Sequence, residues 1–181
     1  PIPVGSLPTG VAVNPAGTRV YVTNQSSDSV SVIDTSTNTV VVAAIPVGST
    51  PLGVAINPAG TRVYVANALS NNLSVIDTST NTVVGAPIAV GSTPYGVAFN
   101  PAGTRLYVTN LTSGTVSVID TANDTVVGAP IPVGFEPIGV AVTPDGARVY
   151  VANAGTVSVI DAAAGAAIGS PIAVGTGAVG I

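Results

Sequence analysis

The segment Asn57-Pro58-Ala59-Gly60-Thr61-Arg62-Val63-Tyr64-Val65-Ala66-Asn67 occurs four times in the chain. Its other copies run from Asn14 to Asn24, from Asn100 to Asn110 and, loosened, from Thr143 to Asn153, each starting 43 residues after the one before. Between turn formers the unit is built from Val, Ile, Tyr and Thr, which suit pleated, packed surfaces. Turn formers interrupt every apolar run too soon for a helix. A period of this size made of strands predicts a propeller blade. The expected fold is therefore all-β, a β-propeller of four-stranded antiparallel blades with four 43-residue repeats present. One array over 1–181 is expected, with repeats at approximately 6–48, 49–91, 92–134 and 135–175 and partial blade strands at both ends.

In the second repeat the strands are read as Gly53–Ile56, Arg62–Val65, Leu73–Ile76, and a fourth from Val83-Val84 through Ile88-Ala89-Val90. Pro58 presets φ for a turn that Gly60 completes. The turn after the third strand starts with Asp34, Asp77, Asp120 or Asp161. Four residues on stand Asn38, Asn81, Asp124 and Gly165, all types that tolerate positive φ. Setting Arg62 opposite Asp77 puts Asn67 opposite Asn72 and leaves a loop from Ala68 to Asn71. The fourth repeat is two residues shorter here, and pairing Arg148 with Asp161 leaves the two-residue loop Ala154-Gly155. An even deletion keeps each side chain on its face. Arg19–Asp34, Arg62–Asp77, Arg105–Asp120 and Arg148–Asp161 are thus expected as a structural ladder of opposed charges, each worth about 0–1 kcal/mol if exposed. Tyr21, Tyr64, Tyr107 and Tyr150 are expected in the core, where their hydroxyls need partners.

Composition excludes several function classes. The 181 residues contain no Cys, His, Met, Trp or Lys. Thiol chemistry is therefore out, along with the usual zinc, copper and haem ligands. The four arginines sit one per repeat instead of forming the basic surface that phosphate binding requires, so nucleic-acid binding is not expected. The longest apolar run, around Val40 to Val47, is far short of the roughly 18 residues of a membrane span. Low charge and abundant Thr, Ser and Asn favour an extracellular or cell-surface location.

Tyr21-Val22-Thr23-Asn24 and Tyr107-Val108-Thr109-Asn110, with the variants Tyr64-Val65-Ala66-Asn67 and Tyr150-Val151-Ala152-Asn153, resemble the signature of the YVTN family of β-propeller repeats. The surrounding frame, Pro-x-Gly-Val-Ala, Asn-Pro-x-Gly-x-Arg and Ser-Val-Ile-Asp, is similar throughout. The resemblance implies a propeller like those of archaeal and bacterial surface-layer proteins. Related propellers include sugar-lactone hydrolases and haem- or copper-carrying oxidoreductases, whose cofactor residues have no match here. The family's rings usually have about seven or eight blades.

The ends bear on assembly. Pro1-Ile2-Pro3-Val4-Gly5 matches Pro130-Ile131-Pro132-Val133-Gly134, and Val179-Gly180-Ile181 aligns with Tyr95-Gly96-Val97. The array is expected to continue beyond four blades, or copies to join end to end. A self-contained four-bladed ring is a third possibility. An open set would expose Val11, Val13, Val20 and Val22 at one end. Head-to-tail association of two copies would supply eight blades, and a filament is the alternative.

For a binding site, the loops leading into the first strand and following the second differ among repeats, and loops on rigid scaffolds commonly carry function. Tyr95, Phe135, Glu136, Gln25 and Asp28 are the candidates, for a protein or glycan ligand; drift on an unconstrained surface is the alternative. Asp28, Asp124, Glu136 and Asp145 lie in different repeats or on different faces, so no acid–base pair or calcium loop is expected. Asn24, Asn72, Asn110 and Asn123 head Asn-x-Ser/Thr sequons. Neither a catalytic residue, a metal site nor a cofactor is expected. The function read is a non-enzymatic scaffold for protein or glycan interaction and self-association at or outside the cell surface. The alternative is a fragment of a larger lactonase- or dehydrogenase-like propeller enzyme.

Overall fold

The structure is a computed structural model and describes residues 1–175; the expected fifth-blade segment at Val179-Gly180-Ile181 lies outside them. Four antiparallel sheets follow one another along the chain. Blade 1 holds β1 (Pro8–Val13), β2 (Arg19–Asn24), β3 (Ser29–Asp34) and β4 (Thr39–Pro46). Blade 2 holds β5 (Pro51–Ile56), β6 (Arg62–Asn67), β7 (Asn72–Asp77), β8 (Thr82–Val83) and β9 (Ile88–Ala89). Blade 3 holds β10 (Pro94–Phe99), β11 (Arg105–Asn110), β12 (Thr115–Asp120), β13 (Thr125–Val126) and β14 (Ile131–Pro132). Blade 4 holds β15 (Val140–Val142), β16 (Arg148–Asn153), β17 (Thr156–Asp161) and β18 (Ala166–Ala173).

This is the all-β propeller architecture that the period predicts, in four blades. In blades 2 and 3 the outer strand is broken at Gly85-Ala86-Pro87 and Gly128-Ala129-Pro130, and its two halves pair separately with β7 or β12. Proline cannot donate to a ladder, and Gly85 and Gly128 take positive φ, so the strand steps around its neighbour there. Among the described residues the one helical turn is a 3-10 turn at Gln25–Ser27, closed by Asp28 at φ 48°. The expected partial strand at Pro1–Gly5 is not a strand. Yet Gly5 sits against the Asn24 side chain as Gly48 sits against Asn67, so the segment holds the place of an outer-strand end without its pairing.

Register follows the two-residue deletion as expected. Arg62 lies opposite Asp77 and Asn67 opposite Asn72, while Arg148 lies opposite Asp161 across the Ala154-Gly155 loop. Side-chain pairing departs from this in one repeat. Arg19, Arg105 and Arg148 bond Asp34, Asp120 and Asp161, but the Arg62 guanidinium pairs with Asp124 of the next blade at 2.6 Å. Asp124 occupies the turn position held by Asn38 and Asn81 elsewhere, and its charge draws Arg62 across the interface. Asp77 is instead satisfied by the Ser79 hydroxyl and by the backbone N–H groups of Ser79 and Thr80.

Each core lies between blades. Tyr21, Val30, Val32 and Ile45 meet Val63, Val65 and Ile76; Tyr64, Leu73 and Val75 meet Leu106, Val108 and Ile119; Tyr107, Val116 and Ile131 meet Val149, Val151 and Ile160. The back face of one blade thus covers the front face of the next. Among the described residues no strand of blade 4 packs on blade 1 as consecutive blades pack on each other, which speaks against the four-bladed ring. Tyr150 is 36% exposed where Tyr21 and Tyr64 are 1%, and Val11 and Val13 are 66% and 56% exposed. Val22, expected on the open face with them, is buried.

The fourth residue of each Tyr-Val-x-Asn is structural. Asn24, Asn67, Asn110 and Asn153 are fully buried, and their amides donate across the hairpin to Ser31, Ser74, Ser117 and Ser158 at 2.9–3.0 Å. The sequons at Asn24 and Asn110 are therefore inaccessible to glycan attachment in the fold, whereas Asn123 is exposed.

Acid should weaken this arrangement. The Ser36 hydroxyl and the Thr37 N–H hold the Asp34 carboxyl at about 2. Hydrogen bonds from the Ser79 hydroxyl, the Ala122 N–H, the Thr143 hydroxyl and the Ala164 N–H likewise lower Asp77, Asp120, Asp145 and Asp161. A carboxyl with a lower pKa in the fold than in the open chain stabilises the fold above the open-chain value and loses that contribution as pH falls. The urea midpoint should stay level above about pH 5 and decline from pH 3.8 toward about 2. A midpoint flat down to pH 2 would contradict these bonds.

Candidate functional site

Concavity on the variable-loop side forms where the first strands meet around the propeller axis. β1 packs on β5, β5 on β10, and β10 on β15. Thr9, Leu52, Tyr95 and Ile138, equivalent positions of the four repeats, converge there with Gly10, Gly53 and Gly96 on a cavity of about 290 Å³. The glycines allow this approach. A Cβ on Gly10, Gly53 or Gly96 would lie 2.3, 2.1 or 2.2 Å from the carbonyl oxygen of Leu52, Tyr95 or Ile138 on the next blade. Hydroxyls reinforce two of the three junctions. Thr23 donates to the Leu52 carbonyl at 2.7 Å and Thr109 to the Ile138 carbonyl at 2.9 Å, while each accepts the N–H of Gly10 or Gly96. Ala66 stands at this position in blade 2, so the junction of blades 2 and 3 lacks the tie.

That junction is tied lower down. Asp124 accepts from both the Tyr64 hydroxyl and Arg62. Burial and the Asp124 carboxylate together push the Tyr64 phenol well above its ordinary value, so it remains a donor. At the first junction Tyr21 donates to the Asn81 amide oxygen at 3.2 Å. Asp124→Ala should cost about 1–3 kcal/mol by leaving the buried Tyr64 hydroxyl unsatisfied. Asp124→Asn should cost under about 1 kcal/mol, because an amide oxygen serves in blade 2 and the ion pair is partly exposed. Urea titrations of the two variants separate these outcomes; equal losses would refute the hydroxyl's role.

The sequence candidates fall into two groups. Tyr95 is half-buried and lines the axial cavity. Phe135 is 74% exposed, Glu136 beside it is exposed at φ 50°, and neither lines that cavity. Asp28 and Gln25 are engaged in holding loops. Asp28 accepts the Thr50 N–H of the next blade at 2.8 Å, as Asn71 does for Thr93, and Gln25 accepts from Thr9 at 3.3 Å. Thr9, Leu52 and Ile138 vary between repeats as binding positions do, but only the structure shows that they share a cavity with Tyr95.

Chemically, the axial cavity offers an aromatic ring, two aliphatic side chains, one hydroxyl and backbone groups. Its lining contains neither a carboxylate nor a guanidinium. General acid–base hydrolysis requires convergent proton-transfer groups, and this lining does not provide them. Among the described residues there is no cluster of three potential metal ligands.

Comparison with known proteins agrees with the architecture. The family model described as a seven-bladed β-propeller lactonase matches residues 5–84. A PE-PGRS family protein of Mycobacterium tuberculosis is 70% identical over 33 residues, which is 18% of this chain and 7% of that protein. Hydrazine synthase of Kuenenia stuttgartiensis superposes with a TM-score of 0.86 at 28% identity, over 92% of this chain and 49% of that one. A solved protein titled a putative 6-phosphogluconolactonase from Bacteroides uniformis has a TM-score of 0.79 at 17% identity, over 93% of this chain and 55% of its own, a likeness of fold alone. The chain is β-propeller in architecture and spans about half the length of the solved propeller chains it matches.

Proposed function

We propose that the chain is a non-enzymatic propeller scaffold of the YVTN, surface-layer type, acting at or outside the cell surface through association. The observation that carries this reading is the pair of unlike apolar faces at the ends of the arc. Val11 and Val13 are 66% and 56% exposed at one end, and Tyr150 and Ile172 are 36% and 52% exposed at the other. Soluble monomers rarely leave such faces in water. One is a front face and the other a back face, and the three internal junctions join these two kinds. Head-to-tail contact between copies repeats that chemistry and closes at eight blades with two copies, or extends as a filament. The axial cavity and the exposed Phe135–Glu136 loop are the surfaces offered to a protein or glycan.

A second reading has its own support. The lactonase family match and the half-length coverage of the solved propellers fit a segment of a larger propeller enzyme, whose further blades cover the same faces. Light scattering coupled to size exclusion tests the first reading on the 181-residue chain. Twice the monomer mass or more is expected at micromolar concentration. A compact monomer overturns association.

A further inference from the structure

The third junction differs from the other two, and the difference leaves a cleft. At the first, Tyr21 donates to Asn81, and Asp28 holds Thr50. At the second, Tyr64 and Arg62 share the Asp124 carboxylate, and Asn71 holds Thr93. At the third, the equivalents of these acceptors are Gly165 and Gly114, which have no side chain. Ala162 and Ala164, beside Gly165, stand where the other three repeats have polar residues, and Ala163 matches Ala122 of the third repeat. A cavity of about 360 Å³ opens there between blades 3 and 4, bounded by Arg105, Tyr107 and apolar side chains including Val118, Val127 and Ile131.

Tyr107 is 3% exposed as a residue; its hydroxyl makes no hydrogen bond to another described residue, and it is not among the sealed, unpartnered polar atoms but opens onto the cavity that Tyr107 lines. Burial raises its pKa, so the group stands as a neutral donor. Arg105 uses one terminal nitrogen on Asp120 and on the Thr104 carbonyl; its remaining nitrogens carry no bond among the described residues. Two donors thus border a cavity whose counterpart, one blade earlier, receives a carboxylate on the same two donors.

We propose that the cleft between blades 3 and 4 binds a small monocarboxylate, its carboxylate meeting Arg105 and Tyr107 as Asp124 meets Arg62 and Tyr64. The ligand's short aliphatic body lies on Val118, Val127 and Ile131. Its charge gives the cleft the set already present one blade earlier, where one arginine serves Asp124 with Asp77 nearby. The size of the cavity fits a ligand of a few carbons. The site is internal to the arc and does not depend on how its ends associate.

Butyrate and its neutral isostere butyramide are the probes, read by saturation-transfer NMR on the full chain. Butyrate should bind with a dissociation constant of about a millimolar, suited to so small a ligand. Butyramide should bind at least about tenfold more weakly, for want of charge-assisted bonds. Tyr107→Phe, which removes only the unpaired hydroxyl, should weaken butyrate about tenfold. Gly165→Asp should abolish butyrate binding by supplying the carboxylate from within. The left-handed backbone there suits the change, since Asp124 has φ 56° and Gly165 has φ 61°. No butyrate transfer at tens of millimolar, equal binding of the two probes, or butyrate binding unchanged in Tyr107→Phe would each overturn the site.

Discussion

Val13→Asp should abolish the proposed head-to-tail association of copies while leaving the fold of the chain intact. Val13 is 56% exposed at the edge of the first blade, so the substitution removes little internal packing; surface changes of this kind stay within about 0.5 kcal/mol. Within a head-to-tail contact the same position is equivalent to Ile56, which packs into the core between blades 1 and 2. An unpaired carboxylate buried there costs about 3–5 kcal/mol, which weakens association by more than about 100-fold. Tyr150→Phe is the graded companion. If copies join as blades do, Tyr150 donates to Asn38 of the next copy, as Tyr21 donates to Asn81. Loss of one such bond costs about 1 kcal/mol. The predicted order of affinity is wild type, Tyr150→Phe, Val13→Asp, measured by light scattering against concentration. Unchanged mass in Val13→Asp would place the contact elsewhere.

What the sequence discloses is organised by blade. The 43-residue period, the Asn-Pro-x-Gly turns and the even deletion before Thr156 determine strand order and register, and Arg148 lies opposite Asp161 as that arithmetic requires. Contacts between blades are less legible, because repeat alignment relates equivalent positions without saying which of them touch. Arg62 illustrates this. Its alignment with Arg19 implies a bond to Asp77, but the Asn-to-Asp exchange at position 124, 62 residues away, redirects it. The signal was present as a lone acid in a series of Asn and Gly. Asp28 and Gln25 show the reverse case. They vary as ligand-binding residues do, yet their side chains hold adjoining loops. The burial of Asn24, Asn67, Asn110 and Asn153 was equally hidden, since asparagine after a strand usually reads as a turn residue.

Gly53→Ala should be among the most damaging single changes in the chain, although it adds one methyl group to a good strand segment. The new Cβ would stand 2.1 Å from the Tyr95 carbonyl oxygen and 3.2 Å from its carbon. Both are backbone atoms of β10, so no rotamer change relieves the clash. The first strands of blades 2 and 3 must separate, which strains the Tyr64–Asp124 tie and the core beneath it. Overpacking of a side chain costs about 1–3 kcal/mol, and a clash with backbone belongs at or above the upper end, about 3 kcal/mol. Gly85→Ala provides the contrast. Nothing lies within 4 Å of its Cβ, and only its φ of 72° resists substitution, at about 1 kcal/mol. One glycine is required by space and the other by backbone conformation. Urea unfolding of the two variants should differ by about 2 kcal/mol, with Gly53→Ala the weaker. Saturation-transfer signals from butyrate should persist in Gly85→Ala, which lies outside the third junction. If Gly53→Ala unfolds at the same midpoint as Gly85→Ala, the first strands are not in the close contact that forms the axial cavity.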